Sequence, residues 1–366
     1  MDTIESVPLQ SAVGLITLQG VKGVGRVAIT KLLASYETIG AVLAAPADEL
    51  KRCVNEKQRS ALQDNPEILG RAFDDALRQS DMADEHGYRM LSQYDAAYPT
   101  RLRDIPNAPS VLIVSGPIEA VDASVGFVGS DQPSEWGQYA SFKMAEALAE
   151  KGWGVVSGME EGCQVAAHRA AMSQRVPTVA VIPEGVDRLS WKRRDYAAAV
   201  LDAGGVIVTE QLFGSYADPS ATIRRNRLIS GLSLATFFIQ GKMSPGLNDD
   251  DSIHAVRYAI QQKRPIFVPA IPSREIEDPR NETAINLARL TAEDLSLLWD
   301  ARDDLKAALL SIGSDTVADP VAGKKDYPAL LEFLDQLLID DMGRSQTPVA
   351  EEPDHESIDA PLGMTA

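Results

Sequence analysis

The sequence is short of several things, and each shortage argues against a class of protein. Cysteine is nearly absent: Cys53 and Cys163 are the two copies in 366 residues, and they lie far apart. That speaks against a disulfide framework and against a cysteine-rich zinc site. The four histidines, His86, His168, His254 and His355, show no metal-ligand spacing. No metal and no cofactor are expected. The opening residues, MDTIESVPLQ, contain neither a basic stretch nor an apolar one, so no signal peptide is read there. No uncharged apolar run is long enough to cross a bilayer. The expectation is a soluble, cytoplasmic protein with no membrane contact. Positive charge is scarce too: 35 Lys and Arg stand against 53 Asp and Glu, a formal net charge of -18. Such a balance opposes simple electrostatic adhesion to nucleic acid. The excess is unevenly placed, however. Residues 291–366 hold 17 acidic and 5 basic side chains, which is -12 of the -18. The acidity therefore need not describe the face of the remaining chain.

Four regions follow from the patterning. Residues 1–84 read as a helical domain, with Ile29, Leu32, Leu33, Ile39, Val42 and Leu43 at helical spacing. Residues 85–290 open on an extended, Pro-containing connector (Pro99, Pro106, Pro109) and then alternate. Short apolar strands are expected at 124–128, 154–157, 177–182, 206–209, 235–240 and 265–269. Helices are expected between them at 137–151, 164–173, 195–203, 223–231 and 252–262. That alternation predicts an α/β, Rossmann-like, doubly wound and mainly parallel sheet. Ligands of such sheets bind outside the carboxyl ends of the strands, where the Gly-rich turns fall. Residues 291–342 read as a helical extension, and 343–366 as a disordered acidic tail.

Three segments carry binding chemistry. In LQGVKGVGRVAITKLL (18–33), the Gly23-Val24-Gly25 turn between apolar-periodic segments has the form of a helix-hairpin-helix. Such a turn exposes backbone N–H groups that can hold a phosphate, with Lys22 and Arg26 beside it. The other reading is a packing hairpin in a small helical domain. In ATIRRNRLISGLS (221–233), Arg224, Arg225 and Arg227 flank Asn226. Arginine forks bind phosphate, and asparagine positions a base or sugar. The other reading is a solvated face, or arginines paired with local carboxylates. Trp191-Lys192-Arg193-Arg194-Asp195-Tyr196 reads as a basic loop whose aromatics stack bases, or as a loop with Trp191 packed inward. His168 reads as a packing histidine and Cys163 as a small buried residue.

The order of the motifs resembles the DNA-processing protein A (DprA/Smf) family. Tyr98-Pro99…Leu102 resembles its entry segment and Val128-Gly129-Ser130 its first phosphate-binding turn. Ser157-Gly158-Met159…Gly162…Ala167-His168 resembles its second Gly-rich turn and the helix after it. Thr178-Val179-Ala180-Val181 resembles its third strand. Arg225-Asn226-Arg227-Leu228-Ile229-Ser230-Gly231-Leu232-Ser233 is its most diagnostic string. Ala255…Ala259 and Pro265-Ile266-Phe267-Val268-Pro269 resemble its closing helix and strand. The resemblance implies single-stranded DNA binding, self-association as a homodimer and handover of DNA to a recombinase. The candidate phosphate-side residues are Gly129, Ser130, Ser157, Gly158 and Gly162 as backbone features of the two turns, Arg224, Arg225, Asn226 and Arg227 of the string, and, from the residues themselves, Lys192, Arg193 and Arg194 with Lys22, Gly23, Gly25 and Arg26 of the hairpin.

This chain also departs from the family's pattern. Asp131 stands where the first turn ends in arginine. Glu160-Glu161 sit inside the second turn, and Cys163-Gln164 replace its apolar–Asp pair. Gln240 stands for a strand-end Glu. Ser244-Pro245-Gly246 is followed by an acidic insert at 248–251, and a C-terminal winged helix is not evident. Two charges about 5 Å apart at an effective dielectric near 20 interact by roughly 3 kcal/mol. Arg-to-Asp at a phosphate turn therefore changes ligand preference. The expectation is a diverged, non-enzymatic member: a specialised paralogue with a protein partner from an anti-phage or toxin–antitoxin operon. The alternative is a nucleotide sensor or a nucleotide N-glycoside hydrolase. Hydrolysis needs a carboxylate at the anomeric carbon, and Glu160, Glu161, Glu184 and Glu210 are its candidates by position.

Overall fold

The computed structural model describes residues 3–120, 122–242, 252–301, 303–312 and 316–345. The acidic insert at 248–251, Ser244-Pro245-Gly246 before it and the tail beyond Ser345 lie outside the described residues.

Nine strands form one sheet: β1 (Arg89–Ser92), β2 (Val111–Ser115), β3 (Ser124–Val128), β4 (Gly154–Ser157), β5 (Thr178–Val181), β6 (Val206–Thr209), β7 (Thr236–Phe238), β8 (Ile266–Pro269) and β9 (Asp319–Val321). Their order is β1-β2-β6-β5-β4-β3-β7-β8-β9. β3 to β9 run parallel, while β2 pairs antiparallel with β6 and β1 antiparallel with β2. The order turns back at β3, which pairs β4 on one side and β7 on the other. The principal helices are α1 (Ala12–Gly20), α2 (Arg26–Ser35), α3 (Pro66–Glu85), α4 (Glu135–Ala149), α5 (Cys163–Ser173), α6 (Trp191–Asp202), α7 (Pro219–Leu232), α8 (Ser252–Gln261) and α9 (Tyr327–Ser345).

Alternate strand residues feed opposite faces, as the two-residue period of a strand requires. Val128, Val156, Val179, Val181, Val208, Phe238 and Val268 pack with Leu228, Ile229 and Leu232 of α7 and with Ile253 and Val256 of α8. Phe127, Val155, Phe237 and Phe267 face α4, α5 and α9 through Met144, Leu148, Ala167 and Leu334. The α7 string is built for this contact. Asp218 caps the helix by accepting from the Ala221 N–H, and Pro219 occupies its first turn. A Cβ on Gly231 would sit 2.7 Å from Leu102 Cδ1, so glycine there lets the entry segment close on the helix.

The helical N-terminal region lies along β1 and β2, where Val111 joins its core and Met90 and Leu212 pack against it. Gln79 of α3 exchanges two hydrogen bonds with the Phe213 backbone. The C-terminal region is more than helical: β9 adds a parallel strand to the sheet's other edge. Arg101, buried, ties α9 down through Asp341 and donates to the backbone oxygens of Leu232 and Asp122. Among the described residues, no helix is long and apolar enough to cross a membrane.

Candidate nucleic-acid interface

The carboxyl ends of the parallel strands gather the Gly-rich turns. After β3, the Ser130 N–H donates to Gln240 O across the β3/β7 reversal at 2.6 Å. A Cβ on Gly129 would lie 2.9 Å from both Cβ and Sγ of Cys163, so only glycine allows α5 to start against this turn. Gly162 takes φ +81° and caps α5, nesting the second turn against the Ser130 and Asp131 carbonyls. A Cβ on Gly158 would fall 2.0 Å from Arg225 Nη1. That glycine is the gap through which a guanidinium passes.

The guanidinium does not reach solvent. Arg225 is 2% exposed. Its Nη1 donates to Val181 O at 2.7 Å and its Nη2 to Glu160 Oε2 at 2.8 Å. Arg227 is also buried, forked onto Glu210, with Nε donating to Asn107 O at 3.1 Å. Arg193 donates to Glu184 Oε1 at 2.6 Å, and Lys192 lies 2.6 Å from Glu161 Oε1. Four carboxylates at or near the strand ends thus neutralise four of the expected phosphate ligands. Burial pushes the Glu160 carboxyl up, but the Arg225 and Arg193 charges and the Arg225 hydrogen bond outweigh it and hold it below the usual range. Burial raises Glu184, which is 4% exposed, and the single Arg193 contact only partly offsets this. Glu184 Oε2, Arg193 Nε and Nη2, Gln164 Oε1 and Arg225 Nε are buried without hydrogen-bond partners, although Arg193 Nη2 lies 3.7 Å from Glu160 Oε1. Such a knot of unsatisfied polar atoms calls for a ligand or water.

Beside this knot α6 begins. Ser190 caps it by accepting from the Arg193 N–H, and Trp191, Lys192 and Arg193 fill its first turn, with Arg194 next. Trp191 is 73% exposed, and Arg194 is exposed with no salt bridge among the described residues. A pocket of about 540 Å³ opens here, lined by Asp131, Met159, Glu160, Val165, Arg169, Arg193 and Tyr196 among others. Its walls mix apolar surface with both signs of charge.

The hairpin occupies a second place. Gly23 takes φ +95°, with open space where a side chain would point. Gly25 starts α2 without a side-chain cap, leaving the first N–H groups of the helix bare beside exposed Lys22 and Arg26. Arg26 Nη1 donates to Asn107 Oδ1 at 3.0 Å. The Asn107 carbonyl is the one that receives Arg227 Nε. One residue in the left-handed region, φ 58°, thereby links the hairpin to the arginine string.

The sequence expectations divide accordingly. Gly129, Gly158 and Gly162 shape the backbone turns, and Ser130 is held between them. Ser157 is corrected to a structural post, its buried hydroxyl donating to Phe127 O. Asn226 is buried. Arg225 and Arg227 are inward-facing ion pairs, not open forks. Residues 191–196 form the start of a helix, not a loop, and Trp191 is not packed inward. His168 is buried, with ring nitrogens on Thr178 Oγ1 and Gly158 O. Glu160, Glu161, Glu184 and Glu210 were singled out for hydrolysis and serve as counter-charges instead. Asn107, Arg169 and Tyr258 went unnoticed, because nothing local marks a residue whose partners are remote. Among the described residues no group of three or more His, Cys, Asp and Glu is placed to hold a metal.

Comparison with known proteins agrees with this architecture. The family described as DNA recombination-mediator protein A matches residues 89–305. Protein Smf of Synechocystis sp. is 25% identical over 349 residues, 91% of this chain and 82% of that protein. Protein Smf of Escherichia coli is 31% identical over 189 residues, 50% of this chain and 48% of that protein. The X-ray structure of DNA processing protein A from Streptococcus pneumoniae superposes with a TM-score of 0.58 at 20% identity, covering 87% of this chain and 97% of that one.

Proposed function

The chain belongs to the DNA recombination-mediator protein A family, and from that premise we propose that it binds single-stranded DNA and mediates its recombination. One observation carries the proposal: the start of α6. The N-terminal turn of a helix favours acidic side chains, which complement its partial positive charge. Here the first turn has no acidic residue and carries Lys192 and Arg193, with Arg194 following. Lys192 and Arg193 are matched by Glu161 and Glu184, so it is the Arg194 charge that adds to the positive potential of the helix end, and a bound anion relieves it. Trp191 stands exposed on the same turn, a stacking surface for a base. Together they match a phosphate and its neighbouring base.

The test is fluorescence anisotropy with an oligo(dT) strand. The wild type binds. Trp191→Ala and Arg194→Ala each weaken binding by about five-fold or more, the range of one stacked base. Both side chains are exposed, so thermal midpoints stay at the wild-type value. Unchanged affinity in both variants would show that the strand does not run over α6.

A second reading, a nucleotide site, draws on the raised Glu184 carboxyl and the unpartnered atoms beside the 540 Å³ pocket. Isothermal titration with nucleoside monophosphates separates the two. For hydrolysis the four strand-end carboxylates are poorly disposed, since each already sits in an ion pair. Release of free base from a monophosphate, abolished by Glu184→Gln, would reverse that view. A homodimer, and a protein partner from a defence or toxin–antitoxin operon, extend the proposal on the resemblance and the acidic segments alone. Light scattering and co-purification test them.

A further inference from the structure

A second cavity, of about 330 Å³, opens on the other side of α7 between Pro106, Asn107, Arg224, Arg227, Tyr258 and Gln262. We infer that it is a second subsite for single-stranded nucleic acid, taking one nucleotide with its phosphate on Arg224 and its base against Tyr258 and Gln262. The inference rests on the DNA-binding reading above and adds to it a place where the strand leaves the sheet for the helical hairpin.

The chemistry of the walls selects the ligand. Arg224 is exposed and, unlike its neighbours Arg225 and Arg227, makes no ion pair among the described residues. It is the arginine of the string available to a phosphate. Arg227 forms the floor, its guanidinium fixed by Glu210 and by Asn107 O. Gln262 Nε2 donates to Arg227 O at 3.0 Å, which orients the amide and leaves its Oε1 buried with no partner. An unmet buried acceptor calls for a donor, and the N–H groups on a base edge supply one. Tyr258 is half-buried and gives an aromatic surface at the same opening. The volume sits at the low end for ligand pockets, about 300–1,000 Å³, which suits one nucleotide and no more. A free anion would use Arg224 but not the aromatic wall or the amide acceptor.

The surroundings favour a strand over a free nucleotide. Arg26 reaches Asn107 Oδ1 at the rim of this cavity. The bare N–H groups at the start of α2 and exposed Lys22 continue the positive path away from it. A strand seated on Arg224 therefore has its next phosphate positions at the hairpin.

The test combines binding with cross-linking on the full chain. A (dT) strand of roughly 20 nucleotides, longer than the ~4–16 of one binding fold, is titrated by anisotropy against wild type, Arg224→Ala, Arg224→Glu and Tyr258→Leu. Ultraviolet cross-links to the same strand are mapped by mass spectrometry, and dTMP is titrated alongside. The subsite is supported if Arg224→Ala and Tyr258→Leu each weaken the long strand by about five-fold or more, Arg224→Glu weakens it further, and cross-links fall on the Tyr258 peptide. Arg224 is exposed and unpaired, so its variants keep the wild-type melting point even if Tyr258→Leu does not. If the wild type binds the strand but both Arg224 variants bind equally well, the subsite is wrong and the α6 reading stands. If dTMP saturates the site and the strand does not compete, the ligand is a free nucleotide and the inference is overturned. If the wild type binds no strand, both fall together.

Discussion

His168 and Arg225 show how the chemistry of single residues is set by burial. The Gly158 carbonyl can only accept, so the neutral His168 ring carries its proton on Nε2, while Nδ1 lies 2.6 Å from the Thr178 hydroxyl, which itself donates to Val155 O. Burial pushes its pKa down to about 4. The unfolded value lies near 6.5, so on acidification the unfolded chain takes up the proton first. The stability this residue contributes is full above about pH 6.5 and is lost as pH falls toward about 4. Urea unfolding of wild type and His168→Gln should therefore show a stability difference that shrinks by about 2 kcal/mol between about pH 7 and pH 5. A difference constant over that range would place the ring's titration elsewhere. Arg225 makes the complementary case. Removing one partner of a buried pair leaves the other charge stranded, at roughly 3–5 kcal/mol. Because Glu160 keeps a quarter of its side-chain surface in water, about 2–3 kcal/mol is the expectation for Arg225→Ala. Glu160→Gln in the same chain should restore part of it. Loss of DNA binding in Arg225→Ala would then report on the fold as much as on contact. The sequence shows Arg224, Arg225 and Arg227 as one basic string. It does not show that Glu160 stands 65 positions from Arg225, or that Glu210 stands 17 from Arg227.

At the scale of elements, the parallel strands β3 to β8 were legible as short apolar runs between helical patterns, and β3, β4 and β6 fall where the pattern places them, while β1 and β2 lie in and beside the stretch read as an extended connector. The start of α6 was missed for a physical reason. Trp-Lys-Arg-Arg is poor sequence for a helix N-terminus, so the periodic signal begins only after it, while the structure starts the helix at Trp191 behind the Ser190 cap. β9 was missed because Asp-Pro-Val lacks strand character. It pairs on one side only, where a proline is tolerated. The misfit at α6 has a measurable side. Arg194→Glu places a favourable charge near the helix N-terminus and should raise stability by about 0.3–1 kcal/mol while weakening single-stranded DNA binding. A variant that gains neither stability nor loses affinity would mean that the basic turn serves packing.

Across the whole molecule, the two terminal regions are built into the sheet's edges. The hairpin region shares a core with β2, and α9 is fastened through Arg101 to the end of α7. Composition suggested separable pieces, since the acidic excess is concentrated after residue 290, but strand pairing is a long-range property that composition does not carry. The net charge of -18 likewise hid how the charges are matched in space.

That matching has a thermodynamic consequence. A free lysine or arginine lets DNA expel condensed cations into solution, and this release makes affinity fall with salt, with a slope of about -0.7 per phosphate for single strands. Glu160, Glu161, Glu184 and Glu210 act as tethered counterions: a phosphate that displaces one of them sets no ion free from the protein, and the carboxylate it strands stays in place. Of the six basic residues at 192–194 and 224–227, Arg194 and Arg224 lack such a tether among the described residues. These six residues should then contribute about -1.4 to the logarithmic salt slope for oligo(dT), not about -4, and the slope should steepen in Glu184→Gln. A steep slope in the wild type would mean that the carboxylates swing clear on binding. With a shallow one, a ten-fold rise in salt would cost these contacts about 25-fold in affinity instead of about 10,000-fold.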